Sequence, residues 1–238
     1  SQYLFLGGDF QSINVIADKL ECDRNGSVEV KEWMKDGGYS YYRAGTGAES
    51  AWPYPARPTN SDYLQIPPEL IAMLDRFLAE FNAADANTSG ASSDSMLIVR
   101  MIRYFNNRFK YSLEVNRPPE QEPVTYFLST SRQGHCELFA SAMTLLLRRQ
   151  GIPARYVTGF ICEEKHPYGN YYVSRLGNAH AWLEAYPRDL GRWELVEPTP
   201  PSGVPNFHHK WGLTEQWGDR FSQLMRETLA LLRRGVVA

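Results

Sequence analysis

The chain has 238 residues, of which 43% are hydrophobic and 22% are charged, as is typical of a globular protein with a sizeable core. The formal net charge is −2 and no basic stripe is present, which argues against nucleic acid as the main partner. No apolar run has the length of a membrane-spanning helix. Three cysteines are too few for a disulfide framework, so at least one thiol is free.

The first 57 residues carry the pattern of a small β region. Asn25 and Gly26 separate two alternating runs, and this dipeptide is typical of a tight hairpin turn. The acidic residues of this stretch also come near the spacing of an EF-hand calcium loop, although Glu21 stands where that loop begins with Asp. We favour the hairpin, followed by a short strand over 39–43 and a Gly- and Pro-rich stretch over 45–58.

Two amphipathic helices are predicted next. The first follows Pro67 and Pro68, and the second runs from about 96 to 106 with Asp94 or Ser95 as its N-cap. Apolar residues recur at helical spacing in both, and we expect these faces to pack in the core. They are Leu70, Ile71, Leu74, Phe77, Leu78 and Phe81 in the first helix, and Leu97, Ile98, Met101, Ile102 and Phe105 in the second.

A third helix is predicted to begin at or near Cys136. Apolar residues follow at helical spacing, and Gly151 stands where a left-handed C-cap belongs. Gly134 is expected to allow a sharp turn before the helix. At a helix N-terminus, unpaired backbone N–H groups and the helix dipole favour a thiolate, which is the nucleophilic form of cysteine. The alternative is that Cys136 is simply a small buried hydrophobic residue.

Beyond Gly151 the apolar period changes from helical to alternating, which predicts strands over 154–162, 170–174, 179–186 and 193–197. Short turns between them imply antiparallel pairing, so the core is expected to be α+β. The tail from about Trp217 reads as an amphipathic helix. We therefore divide the chain into a small β region (1–57), a core (58–205) and a C-terminal amphipathic helix (206–238).

A cysteine nucleophile needs a base that takes and returns the proton. Of the five histidines, His180 is the best candidate, because it begins a predicted strand whose small neighbours allow close approach to the cysteine helix. His135 adjoins Cys136 but is expected to point in another direction. The histidines and cysteines show no CxxC or HExxH spacing, so no metal site is predicted.

The base needs an orienting acid, and the last predicted strand supplies two candidates. Alternation places Glu197 on one face with Leu195, and Glu194 on the other. Glu197 ends the strand before a proline and is the preferred partner of His180. Glu194 and then Asp189 are the alternatives.

Four short motifs in this order resemble the transglutaminase-like superfamily: RQGHCELFA (132–140), LRRQGIPAR (147–155), AHAWLE (179–184) and EPTP (197–200). The order of cysteine, histidine and acid is similar to that of the family. The stretches DRNGSV (23–28) and YLQIP (63–67) extend the resemblance upstream, so that it covers about 17–200. The branch that the sequence resembles most is the bacterial membrane-anchored one.

The resemblance implies a papain-like α+β fold, in which the nucleophile helix packs against an antiparallel sheet. It makes Cys136 the nucleophile, His180 the general base and acid, and Glu197 the orienting acid, although the family usually has Asp at the third position. The implied oxyanion donors are the backbone N–H of Cys136 and a second group, Tyr111 or Gln133. No cofactor is implied.

The implied reaction is a two-step thiol acyl transfer from a glutamine side-chain amide to an amine or to water, on a protein or peptide substrate. Two alternatives stay open: a cysteine peptidase or amidase, and a weakly active or inactive binding or scaffold domain. The branch implies an extracytoplasmic soluble domain of a bacterial membrane protein, with the anchor outside these 238 residues. The residues themselves leave a cytoplasmic location and the oligomeric state open.

Overall fold

The computed structural model describes residue 58 and residues 61–84, 93–161 and 176–204, together with the short strands named below that lie outside these ranges. Two compact units are present. The first comprises residues 1–159 and 180–204, and the second comprises residues 160–179 and 205–238. The three residues predicted to act as a triad all lie in the first unit.

Five short strands lie in the first 57 residues: β1 (Gln2–Leu4), β2 (Phe10–Asn14), β3 (Leu20–Cys22), β4 (Val28–Val30) and β5 (Ser40–Arg43). They form two small antiparallel sheets, one in the order β1-β4-β3 and one that pairs β2 with β5. Strands β3 and β4 pair on either side of the predicted hairpin turn, with Cys22 opposite Val28. The turn itself, where the calcium alternative would apply, lies outside the described residues.

The first predicted helix is α1 (Ile71–Ala84), which a 3₁₀ turn over Pro68–Leu70 introduces. Its predicted apolar face is buried except for Ile71, whose exposed fraction is 37% because the first helical residue faces solvent. The second helix, α2 (Asp94–Arg108), has Ser93 as its N-cap, so the predicted caps Asp94 and Ser95 are wrong. The Ser93 hydroxyl accepts from the Met96 amide, while the Asp94 carboxylate is engaged with Arg188 instead.

Residues 109–135 connect α2 to the cysteine helix through several short elements. The strand β6 (Lys110–Tyr111) is followed by the short helix α3 (Pro123–Tyr126) and a π-helical turn over Phe127–Ser131. The chain then forms β7 (Gln133–Gly134), which pairs in parallel with β6. This pairing places Tyr111 beside the residues that precede Cys136.

The cysteine helix is α4 (Cys136–Arg149), as predicted, and Gly151 beyond it has the left-handed φ of +75° that a C-cap requires. The prediction that Gly134 permits a sharp turn is wrong, because the left-handed residue before the helix is Arg132. Gly134 instead leaves room for the side chains of Leu138 and Phe127, which pack against its backbone. A Cβ there would lie 2.7 Å from Leu138 Cδ1 and 3.1 Å from Phe127 Cδ2.

The core lies between the helices and a three-stranded sheet, and the buried face of α4 crosses it. This face and an aromatic cluster belong to one group of buried residues that also includes Leu183 and Ala185 of the sheet. The cluster consists of Phe77, Phe105, Phe109, Phe127 and Phe139. The contacts among these buried side chains hold the helix that carries Cys136 in place.

The remaining strands are β8 (Ala154–Phe160), β9 (Glu164–Lys165), β10 (Tyr172–Val173), β11 (Ala179–Ala185) and β12 (Glu194–Val196). The core sheet has the order β12-β11-β8, and β11 pairs antiparallel with β12 through Leu183 opposite Val196. Strands β9 and β10 form a separate antiparallel pair. The predicted α+β class, with helices followed by an antiparallel sheet, is confirmed.

The predicted amphipathic helix over 206–238 lies outside the described residues. None of the helices in the described part of the chain combines the length and the hydropathy that a membrane crossing requires.

Candidate active site

Cys136 is the first residue of α4, and its side chain is half-buried. The preceding residue, His135, occupies the N-cap position with extended φ and ψ angles, and its side chain makes no capping hydrogen bond. The first-turn N–H groups of α4 therefore have no side-chain partner at the N-cap. Such groups stabilise an anion at a helix N-terminus.

The thiol of Cys136 is strongly acidic for a cysteine. Burial raises its pKa, but the interactions with His135 and His180 and with the backbone N–H of Ala181 outweigh burial and lower the pKa to about 6. At neutral pH the sulfur is thus mainly a thiolate, the form that attacks carbonyl carbon.

His180 begins the buried part of β11, and its residue exposure is 5%. Its Nε2 lies 2.6 Å from Oε2 of Glu197, which fixes the ring. Burial lowers the pKa of His180, but Cys136 and Glu197 raise it to about 9. The ring is therefore an imidazolium at neutral pH, opposite a thiolate.

The second ring nitrogen of His180, Nδ1, is buried and makes no hydrogen bond of normal length and angle. The interaction between His180 and Cys136, which shifts the pKa values of both groups, is therefore not a well-formed hydrogen bond from this nitrogen. Such contacts between a nucleophile and its base commonly tighten only when substrate binds.

Each carboxylate oxygen of Glu197 makes a hydrogen bond. Its Oε2 meets His180, and its Oε1 accepts a 2.8 Å hydrogen bond from the backbone N–H of Thr199. The predicted alternation does not apply at this position, because β12 ends at Val196 and the chain turns. Hence Leu195 is 66% exposed while Glu197 reaches the imidazole, although the pattern placed both on one face.

The two alternative acids lie away from His180. Glu194 pairs with Arg192, and Asp189 accepts hydrogen bonds from Ser95 at the start of α2. Both are therefore wrong as partners of the imidazole. Glu194 is the first residue of β12, whereas Glu197 lies beyond its end, next to Pro198, which cannot continue a β ladder.

Tyr111, predicted as an oxyanion donor, lies near the thiol. Burial and the charge of Cys136 raise the pKa of its hydroxyl, so the hydroxyl stays protonated. A Cβ at Gly203 would overlap the Tyr111 ring, so that ring is held against backbone. The other candidate, Gln133, lies in β7, where its backbone carbonyl accepts from the Ser131 hydroxyl. Its role as a donor stays a prediction.

The prediction that the side chain of His135 points away from Cys136 is wrong. Its imidazole interacts with the Cys136 thiol, and this interaction is the main cause that raises the pKa of His135, against the effect of burial. Its Nδ1 also lies 3.6 Å from Oε2 of Glu137. A residue directly before a helix can turn its side chain either way, so the sequence alone gave no reason to choose this orientation.

Two aromatic residues near the site were missed. Burial and the charges of Glu137 and Cys136 raise the pKa of Tyr156, on β8, to about 12. Trp182 stacks on His180, with ring centroids 6.3 Å apart and an interplanar angle of 20°. Gly159 makes room for this indole, since a Cβ there would lie 2.6 Å from Trp182 Cη2. The spacing of His180 and Trp182 on one face of a strand was the available signal.

Within the described ranges, no group of three or more His, Cys, Asp or Glu residues is arranged to hold a metal ion. The arrangement suits nucleophilic chemistry, because it joins an acidic thiol to a buried imidazole and a carboxylate.

Comparison with known proteins agrees with the family resemblance of the sequence motifs. Residues 82–198 match the family model of the transglutaminase-like superfamily. A protein-glutamine gamma-glutamyltransferase of Pseudomonas aeruginosa is 36% identical over 119 residues, which are 49% of this chain and 17% of that enzyme. The uncharacterized protein YebA of Bacillus subtilis is 41% identical over 100 residues, which are 40% of this chain and 13% of YebA. These matches span only a small part of each relative.

Among solved structures, the periplasmic domain of TgpA from Pseudomonas aeruginosa is similar to this chain, with a TM-score of 0.51 at 24% sequence identity. The similarity covers 82% of this chain and 67% of that domain. At this level of identity the likeness shows a shared fold, which is papain-like.

Proposed function

Residues 82–198 of this chain belong to the transglutaminase-like superfamily, and on that premise we propose that the domain catalyses thiol acyl transfer. The acyl donor is the side-chain amide of a glutamine in a protein or peptide. The acceptor is a primary amine. Cys136 is the nucleophile, His180 is the general base and acid, and Glu197 orients His180.

One observation carries this proposal: an acidic thiol at a helix N-terminus interacts with a buried imidazole whose other nitrogen is 2.6 Å from a carboxylate. A cysteine that is only a hydrophobic core residue would have its pKa raised by burial. Here the pKa is lowered to about 6, which supports a nucleophile.

The first half-reaction acylates the thiol. The thiolate sulfur of Cys136 attacks the amide carbon of the glutamine side chain, and negative charge moves to the carbonyl oxygen. When the carbon–nitrogen bond breaks, the imidazolium of His180 donates its proton to the nitrogen, and ammonia leaves. The product is a thioester, and His180 is then neutral.

The helix N-terminus supports the charge that develops on oxygen. The uncapped N–H of Cys136 points out of the first turn of α4, and the protonated hydroxyl of Tyr111 lies near the sulfur. Donors that are fixed before the reaction can lower the barrier by about 3 kcal/mol each.

The second half-reaction releases the product. Neutral His180 takes a proton from the attacking amine, a new carbon–nitrogen bond forms, and the carbon–sulfur bond breaks to restore the thiolate. If water attacks instead, the product is glutamate and the domain acts as a hydrolase. The choice depends on how well the site excludes water from the thioester.

The test is mass analysis of a glutamine-containing peptide that is incubated with the protein, with and without a primary amine. We expect a product that has gained the amine and lost ammonia. Deamidation in both arms would instead indicate a hydrolase. No product in either arm would contradict the proposal and favour a binding domain.

Three variants test which side chains the reaction requires. Cys136→Ser and His180→Ala should abolish amine incorporation, whereas Glu194→Gln should leave it unchanged because Glu194 is paired with Arg192 away from the site. Undiminished incorporation by Cys136→Ser would overturn the assignment of the nucleophile.

We also propose an extracytoplasmic location for the domain, which the sequence resemblance implies and which TgpA, with its periplasmic domain, illustrates. Fractionation of cells that express the full-length protein would test this location. Recovery in the cytoplasmic fraction would contradict it.

A further inference from the structure

Arg132 has an unusual backbone conformation, four residues before Cys136. Its φ of +51° and ψ of +21° are left-handed, and among the residues that the structure describes it is the one non-glycine residue with a positive φ. A residue with a Cβ is strained in this region, which Gly and Asn adopt more readily. Strain of this kind persists only where the surrounding contacts hold it, and it is found most often near functional sites.

The left-handed turn at Arg132 directs the chain from the preceding π-helical turn into β7. The Arg132 amide donates to the carbonyl of Phe127, at 3.2 Å, and the Arg132 carbonyl accepts from the amide of Lys110, at 2.8 Å. Two residues later, the Gly134 carbonyl accepts from the Ser112 amide, also at 2.8 Å. The turn therefore begins the β6–β7 pairing that leads directly into the N-terminus of α4.

The side chain of Arg132 joins this turn to two other helices. Its Nη2 lies 2.6 Å from Oε2 of Glu80 on α1, and Oε1 of Glu80 accepts a 2.7 Å hydrogen bond from the hydroxyl of Tyr104 on α2. The guanidinium carbon also lies over two aromatic rings, 5.3 Å from the centroid of Phe77 and 4.9 Å from that of Phe109. Because the cation is shared between a carboxylate and two rings, it is held more firmly than in a simple surface ion pair.

We propose that Arg132 is a positioning residue for Cys136. Its guanidinium holds the strained turn against α1 and α2, and the turn fixes where α4 begins and hence where the sulfur lies relative to His180. The inference rests on the proposed function, since it concerns the nucleophile of that reaction. It adds to the site a support that runs from Glu80 through Arg132 to the start of the cysteine helix.

A second ion pair between α1 and α4 provides a matched control. Asp75 on α1 contacts Arg149 in the last turn of α4, with Nε 2.6 Å from Oδ1. The acidic side chains of the two pairs are almost equally exposed, 49% for Glu80 and 48% for Asp75. Removal of either carboxylate should therefore have a similar, small effect on stability, whereas only Glu80 supports the turn before Cys136.

The experiment measures the rate of alkylation of Cys136 by iodoacetamide against pH, by mass analysis of the peptide that contains Cys136. When the turn loosens, the thiolate loses part of its contact with the helix N-terminus and with His180. Glu80→Ala should therefore raise the midpoint by about half a pH unit, and Asp75→Ala should leave it at the wild-type value. Charge alone predicts the opposite sign, because loss of the Glu80 carboxylate leaves the Arg132 cation unopposed and favours the thiolate.

The titratable groups in and around the site are the same in the wild type and in both variants, namely His135, Glu137, His180, Tyr111 and Tyr156. An unchanged or lowered midpoint in Glu80→Ala overturns the inference, as does an equal rise in Asp75→Ala. Urea denaturation verifies that both variants are folded. Should Glu80→Ala not fold, Tyr104→Phe removes one hydrogen bond to the same carboxylate and should raise the midpoint by a smaller amount.

Amine incorporation separates this inference from the proposed function. In Glu80→Ala we expect kcat to fall about tenfold at unchanged KM, because the nucleophile is misplaced while the surface that binds the glutamine is intact. If the wild type incorporates amine and Glu80→Ala matches it in both kcat and thiol midpoint, the positioning role fails while the proposed function stands. If the wild type incorporates no amine but the midpoint rises in Glu80→Ala alone, the proposed function fails while Arg132 still positions the thiol.

Discussion

Glu197 stands at the position where the family that the sequence resembles usually has Asp. Its side chain is one methylene longer than that of Asp. The extra length lets one oxygen reach His180 Nε2 while the other accepts from the Thr199 amide. Charge-assisted hydrogen bonds of this kind contribute about 1.5–3 kcal/mol each. The carboxylate therefore fixes the imidazole ring and contributes to the raised pKa of His180.

Substitution of Glu197 should separate these two contributions. Glu197→Gln removes the charge, so the pKa of His180 should fall and kcat/KM for amine incorporation should decrease about a hundredfold. Glu197→Asp keeps the charge but cannot reach both partners, so we expect a smaller loss, of about tenfold. The measurement is steady-state kinetics at neutral pH, with circular dichroism to verify folding.

Glu194→Gln is the matched control, because Glu194 lies three residues away on the preceding strand and pairs with Arg192. An equal loss in Glu194→Gln and Glu197→Gln would contradict the special position of Glu197.

The sequence predicted the residues His180 and Glu197 but misjudged their neighbours. Alternation along a strand offered Glu197 and Glu194 as candidates, yet it could not show that the chain leaves the sheet after Val196. Likewise, adjacency to Cys136 did not reveal the orientation of His135, because side-chain direction at a helix N-cap is set by tertiary contacts. The roles of all these residues stay predictions.

At the scale of elements, glycines allow the segments around the site to approach one another. Gly203, in the 3₁₀ turn over Pro201–Gly203 that follows the last strand, lies against the Tyr111 ring of β6. This contact links the region after Glu197 to the β6–β7 pair that precedes Cys136. The position of Tyr111 near the thiol thus depends on the absence of a Cβ at residue 203.

Gly203→Ala should displace the Tyr111 ring and lower the free energy of unfolding by about 1–3 kcal/mol. Gly177→Ala is the control, since nothing lies within 4 Å of a Cβ at that position. Urea denaturation of both variants provides the measurement. Equal stability of Gly203→Ala and the wild type would show that the ring moves freely.

The regular elements of the core were largely predictable, because their apolar periods are strong over a full helix or strand. Helices α1, α2 and α4 and strands β8, β11 and β12 all lie where the patterns placed them. The parallel pairing of β6 with β7 was not predictable, since each strand has two residues and carries no period. The cap of α2 was missed because the Asp94 carboxylate forms an ion pair with Arg188, distant in sequence.

At the scale of the whole molecule, the candidate site belongs to one compact unit, formed by residues 1–159 and 180–204. The division into a β region (1–57), a core (58–205) and a C-terminal helix (206–238) stays a prediction. The fold class itself was predictable from the change of period after Gly151, together with the order of the motifs. The matched residues span 17% of one curated relative and 13% of another, so the activity, partners and anchoring of the whole protein are proposals.

The proposed mechanism requires Cys136 to be a thiolate at neutral pH through its pairing with imidazole. It is tested most directly by the ultraviolet absorbance of the thiolate against pH, taken as the difference between the wild type and Cys136→Ser, so that the other cysteines cancel. We predict a midpoint at a pKa of about 6 for Cys136, and a higher midpoint in His180→Ala. A midpoint near the ordinary thiol pKa of 9.0 in the wild type would show that Cys136 is not held as a thiolate by imidazole.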